Sequence, residues 1–176
     1  MFEKEFRFVG KHATYVKFLV KKAKIFQRNI DVYMLGALVG KTYEKTSTKD
    51  TSSTDDTEIP VSVFINEKPN CLFIYRLVML LSDAKGEDMN IESRLNRAFR
   101  DDLEEDSEHK MNDNMELFHS YVLGGVEKIY ELYTSDITSK DEYIERMYEV
   151  LSEFQNTSII QNGELSQELL DNLVNR

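Results

Sequence analysis

The sequence predicts a single all-α domain over residues 1–176, built from six or seven helices with at most a minor β element. Three observations predict it. Apolar side chains recur at helical spacing through most of the chain. Two prolines and seven glycines are too few for the tight turns of a sandwich or barrel. The 41% hydrophobic and 31% charged residues supply one core and one polar surface at this length.

Taken in order, Thr14–Arg28 places Val16, Leu19, Val20, Ala23 and Phe26 on one side of a helix at about 100° per residue. Asn29 is a candidate cap for the next helix, Ile30–Val39, with Gly40 as a C′ glycine. Gly36 and Gly40, four apart, would bare the backbone for close helix contact. Glu44–Glu58 has no large apolar side chain and reads as a flexible polar loop, 44–58. Such a loop should tolerate cleavage or shortening, since closure costs only ~0.6 kcal/mol per doubling of length. Ile59–Ile65, with Val61, Val63 and Ile65 alternating, reads as a short extended stretch, and Asn66–Asn70 as a turn.

Asn70 then opens a helix to Ser82 that is apolar nearly all round and therefore central. A helix over Asn90–Glu105 would turn Ile91, Leu95, Ala98, Phe99 and Leu103 inward. The longest helix, Asn112–Tyr133, packs Met115, Phe118, Val122, Val126, Ile129 and Leu132, and Gly124-Gly125 should weaken or bend it. Ser139 and Glu142 match a capping box for a helix to Phe154, and Glu164–Val174 closes the chain.

Several function classes fall away. Met1–Gly10 lacks the layout of a secretory signal, and the apolar runs Val32–Val39 and Cys71–Leu81 are far short of the ~20 residues that span a bilayer. A cytoplasmic, membrane-free protein is expected. The one cysteine, Cys71, allows no internal disulfide and no Cys-based zinc cluster; in its apolar run it should be a small buried hydrophobe with a raised pKa. No Gly-x-Ser-x-Gly, Walker A loop or Gly-x-Gly-x-x-Gly occurs. Glu116 and His119 form half of a carboxylate-bridged di-iron motif, but no second Glu-x-x-His exists, so His119 reads as structural or merely exposed. No metal or cofactor is expected.

Asp83-x-Lys85 and Glu108-x-Lys110 have the local spacing of a metal-dependent nuclease, with Asp83, Lys85, Glu108 and His109 as the candidate residues. That chemistry needs a mixed sheet, which the sequence does not predict. Six acids in the eight residues Asp101–Glu108 lack the glycine and alternating ligands of an EF-hand. With Arg94, Arg97 and Arg100 before them, they read as a solvated helix end with local ion pairs.

Charge is distributed unevenly. The chain carries 22 basic and 32 acidic side chains, a net −10, which argues against a general nucleic-acid binder. Yet residues 1–28 hold eight basic and two acidic side chains. Lys17, Lys21, Lys24 and Arg28, spaced four, three and four apart, would share one helical stripe beside the apolar one. That stripe is the candidate partner-binding site: it faces nucleic-acid phosphate, an acidic protein surface, or this chain's own acidic body.

Phe26–Gly40 (FQRNIDVYMLGALVG), a polar insert, Ile59–Phe64 (IPVSVF) and the helical Phe73–Leu81 together resemble small proteins associated with bacterial DNA phosphorothioation (Dnd-type) defence loci. Phe118–Leu132 (FHSYVLGGVEKIYEL), with paired glycines before an amphipathic stretch, is similar to that family too. The long insert and the extended C-terminal helix are departures. The resemblance implies an accessory role in defence or restriction, beside a larger DNA-processing protein, and carries over no catalytic residue. The expectation is therefore a non-catalytic accessory subunit whose partner is that larger protein, with weak or no DNA binding alone. A metal-dependent nuclease or other DNA-acting enzyme, and a structural homo-oligomer, are the alternatives.

Overall fold

The computed structural model of the chain describes residues 1–82, 90–101, 107–134, 142–153 and 155, with side chains from 109 onward in the third segment. The chain divides into two compact units, Met1–Glu131 and Leu132–Arg176. The described residues are all-α with one minor sheet: β1 (Phe6–Val9), α1 (Lys11–Lys17), a π-helical turn (Phe18–Lys22), α2 (Asn29–Thr42), β2 (Asp56–Ile59), α3 (Val61–Asn66), α4 (Lys68–Leu81), α5 (Ile91–Phe99) and α6 (Ser107–Thr134). Residues 142–153 form a further helix, α7.

The sheet is a two-stranded antiparallel ribbon with Phe6 opposite Ile59 and Phe8 opposite Thr57. Strand β1 escaped the sequence reading because its four residues, FRFV, are too few for a periodic signal. Its alternation is clear in the fold. Phe6 and Phe8 are buried, while Arg7 on the other face pairs with Asp56 and Glu58, each at 3.0 Å.

The extended stretch expected at Ile59–Ile65 lies earlier, at Asp56–Ile59. Pro60 (φ −63°, ψ 153°) ends the strand and caps α3, so Val61, Val63 and Ile65 alternate by accident within a helix. The turn expected at Asn66–Asn70 shrinks to Glu67. Pro69 falls in the first turn of α4, where its missing N–H is harmless. Residues 56–58, assigned to the polar loop by composition, are strand.

Within the first unit, α2 and α6 touch backbone to backbone. A Cβ on Gly125 would stand 1.8 Å from the Gly36 carbonyl oxygen, and one on Gly40 2.0 Å from that of Tyr121. The close contact expected of Gly36 and Gly40 is there. Gly40 is not a C′ residue, because α2 continues to Thr42, and Gly124-Gly125 leaves α6 a continuous helix. Around this seam Phe8, Tyr33, Phe64, Tyr75 and Phe118 are almost fully buried. Tyr33 packs edge-on against Phe6, Phe64 and Phe118, with centroids 5.0–5.9 Å apart.

Helix α4 buries Cys71, Tyr75, Val78 and Met79 but exposes Phe73 and Leu81, so it is one-sided rather than apolar all round. Helix α5 departs further. Asn90 caps it by accepting from the Ser93 amide at 2.8 Å, yet Ile91, Leu95 and Phe99 are exposed while Arg97 and Ala98 are buried. The reason lies at the end of α4. Arg94 and Arg97 reach the carbonyls of Leu80 and Ser82, groups that the end of a helix leaves without intrahelical donors. These arginines are not a solvated helix end. Of the acidic run, only Asp101 has a described side chain, and it accepts from Asn114 at 2.9 Å.

In the second unit, Arg146 of α7 donates to the Leu132 carbonyl at 2.9 Å and pairs with Glu149. Tyr133 and Val150 are buried, and Ile144, Tyr148 and Leu151 are exposed. Ser139 of the expected capping box, Leu103 and the Glu164–Val174 helix lie outside the described residues.

Candidate functional site

The first site is the basic segment after α1. One helical stripe does not exist there, because α1 stops at Lys17 and gives way to the π-helical turn. Ala23 donates to the Phe18 carbonyl five residues back at 2.8 Å, Ile25 closes onto Leu19, and Lys24 takes a left-handed φ of 57°. The four cations separate. Lys17 is bound to Asp55. Arg28 holds Asp31 at 2.6 Å and Glu67 at 2.7 Å, and these carboxylates raise its pKa further. Lys21 and Lys24 remain exposed, and Lys22, outside the expected set, joins them over the Phe18 ring. These three have no acidic partner among the described residues. Tyr15 stacks on Tyr130 at 4.0 Å and Phe18 packs edge-on against it, so the lysines project from an anchored turn.

The polar loop packs against this region. Asp50 Oδ2 accepts the Lys11 amide at 2.7 Å, capping α1 from a distance. Hydrogen bonds from Ser52 and from that amide pull the Asp50 carboxyl down to about 2. Gly10, at φ 60°, is needed here, since a Cβ would stand 2.4 Å from the Asp50 carbonyl oxygen. Ser47 donates to Glu127 Oε1 at 2.6 Å, and Lys11 and the buried His12 reach the same oxygen at 3.0 Å. Burial opposes the Glu127 charge, but these bonds outweigh it and hold its pKa below the usual range. Burial likewise lowers the pKa of His12. His12 Nδ1 has no hydrogen-bond partner among the described residues.

The second site is an open cleft of about 690 Å³ in the first unit, bounded by the N-terminal segment, Lys49 and the start of α6. Phe2, Phe6, Tyr33 and Phe64 make its aromatic side. His119 Nε2 and the Tyr33 hydroxyl share a hydrogen bond of 3.0 Å at the wall. Burial lowers the His119 pKa to about 4 and raises that of Tyr33 well above its ordinary value, so both are neutral near pH 7. The Glu116–His119 pair therefore combines a structural histidine with an exposed carboxylate.

Asp83 and Lys85, and the side chain of Glu108, lie outside the described residues; His109 is exposed in the first turn of α6. Cys71 is buried, and burial pushes its thiol up to about 11, so it is a packing residue. No three His, Cys, Asp or Glu side chains among the described residues are grouped to hold a metal ion. No helix among them is long and apolar enough to cross a membrane. The chain matches no known family, no curated protein and no solved structure.

Proposed function

We propose that this chain is a non-catalytic interaction protein, an accessory subunit that docks onto an acidic surface of a larger protein in a bacterial DNA-modification-linked defence system. One observation carries the docking: in a chain of net charge −10, Lys21, Lys22 and Lys24 stay exposed without an acidic partner among the described residues. Lys17 and Arg28, by contrast, are held in ion pairs within the fold. Like charges left together near so many acids favour an external anion. A protein surface suits three lysines better than duplex DNA, which the rest of the chain would repel. The defence setting comes from the sequence resemblance alone.

The test compares wild type with Lys21→Glu, Lys22→Glu, Lys24→Asn, binding the larger protein and duplex DNA at several salt concentrations. Asparagine tolerates the left-handed backbone at position 24. Binding of the protein partner should fall with the fold unchanged. A DNA-binding reading predicts instead a log–log salt slope shallower by about 3, at about 0.9 per lost phosphate contact. Unchanged binding to both overturns the proposal. A homo-oligomer is favoured by a different feature, the exposed Phe73, Ile91, Leu95 and Phe99 of α4 and α5. Light scattering that finds only monomer removes that reading.

A further inference from the structure

We infer that α5 is a self-recognition helix, which pairs antiparallel with α5 of a second copy of this chain about a two-fold axis at Leu95. This rests on the self-association reading above and supplies its interface. Ile91, Leu95 and Phe99 are spaced four apart on α5 and form one row, 70%, 40% and 40% exposed. The inward side is fixed by the buried Arg97 and Ala98 and by the bonds from Arg94 and Arg97 to the end of α4. The apolar row is thereby held outward. Arg76 of α4 lies over the Phe99 ring, 5.2 Å from its centroid. Phe73, three residues earlier on α4, is 68% exposed, so the apolar surface continues onto that helix.

The charges choose the occupant. Glu92, Asn96 and the C-cap Arg100 form the adjoining row, also spaced four apart. Glu92 and Arg100 are exposed, and neither has an ion-pair partner among the described residues. Arg100 donates to Asn96 Oδ1 at 2.9 Å, which holds it along the row. An isologous dimer sets one surface against itself. With the axis at Leu95, Ile91 of one copy meets Phe99 of the other and Leu95 meets Leu95. Glu92 then falls beside Arg100 of the second copy at both ends. A parallel pair would set Glu92 against Glu92 and Arg100 against Arg100. Charges flanking an apolar seam decide partner and direction in helix pairs in this way. A partner surface of one charge sign would match one end of the row and repel the other. Three apolar layers with Phe73 beside them lie at the small end of specific interfaces, so the dimer should dissociate at about 1–100 μM.

Sedimentation equilibrium of the full-length chain, from about 1 μM to about 1 mM, should record that equilibrium. Glu92→Arg and Arg100→Glu each replace two attractive pairs by two repulsive ones and should weaken the dimer about tenfold. Both changes in one chain restore the pairs. Mixing the two single variants restores them too, as a heterodimer of about wild-type affinity. Leu95→Glu sets two carboxylates on the axis and should abolish the dimer over this range. Urea midpoints measured on the dilute monomer check each fold, and the mixing arm separates repulsion from misfolding, because a misfolded chain is not rescued by its partner. A wild type that stays monomeric up to about 1 mM overturns the inference and the self-association reading together. A dimer that survives Leu95→Glu, or single reversals that change nothing or are not rescued by mixing, overturns the α5 interface and leaves self-association standing.

Discussion

Lys24 stands at φ 57° in an exposed position, a conformation that costs a non-glycine residue on the order of 1 kcal/mol. Lys24→Gly should therefore raise stability by roughly 0.5–1 kcal/mol while weakening partner docking, as urea unfolding and binding would record. A destabilised variant would show that the lysine stem packs. His119 gives a pH prediction of definite sign. Its folded pKa of about 4 lies below the unfolded value near 6.5, so the unfolded chain takes up the proton first. Stability is full above pH 6.5 and falls as pH drops toward 4, by about 3 kcal/mol from this residue. His12 acts in the same direction, while Asp50 and Glu127, with lowered pKa values, lose their contribution only at lower pH. His119→Gln, which keeps a partner for Tyr33, should flatten the decline between pH 6.5 and 4.5. An equally steep decline would assign it elsewhere.

At the scale of elements, the α2–α6 seam has no room for a methyl group. Gly125→Ala should cost at least about 3 kcal/mol, the upper end of overpacking, because the obstacle is the Gly36 carbonyl and not a movable side chain. A urea midpoint within error of wild type would mean that the helices separate freely. The polar loop gives the second prediction at this scale. Composition alone suggests that it can be shortened without loss, but its residues cap α1, bind Glu127 and lead into β2. Replacing residues 47–54 by a short linker should lower the melting temperature by several degrees, since each lost hydrogen bond contributes about 1 kcal/mol and those to carboxylates more. An unchanged melting temperature would show that these contacts contribute nothing net.

For the whole molecule, the large buried side chains Phe8, Tyr33, Phe64, Tyr75 and Phe118 all fall within Met1–Glu131. A fragment ending at Thr134 therefore keeps that core and should unfold cooperatively in urea with helical circular dichroism. A broad, non-cooperative transition would mean that the first unit needs the rest of the chain.

The sequence by itself determined the helical class, the run of α2, α4 and α6, and the pairing of Gly36 with Gly40 at a close contact. Those features are periodic, and periodicity survives without knowledge of neighbours. It also separated a basic N-terminal segment from an acidic remainder. It did not determine which face of α5 is inward, because the carbonyls at the end of α4 recruit Arg94 and Arg97 from a helix whose apolar stripe points elsewhere. Strand β1 is four residues long and meets its partner some fifty residues away, so neither strand is recognisable without the other. The lysine stripe illustrates the same limit. Its 4-3-4 spacing assumes an unbroken α-helix, whereas the π-helical turn and the acids Asp55, Asp31 and Glu67 take Lys17 and Arg28 out of it and leave Lys21, Lys22 and Lys24. The cleft was equally hidden: Lys49, Phe6 and Glu116 are distant in sequence, and only tertiary packing brings them to one cleft.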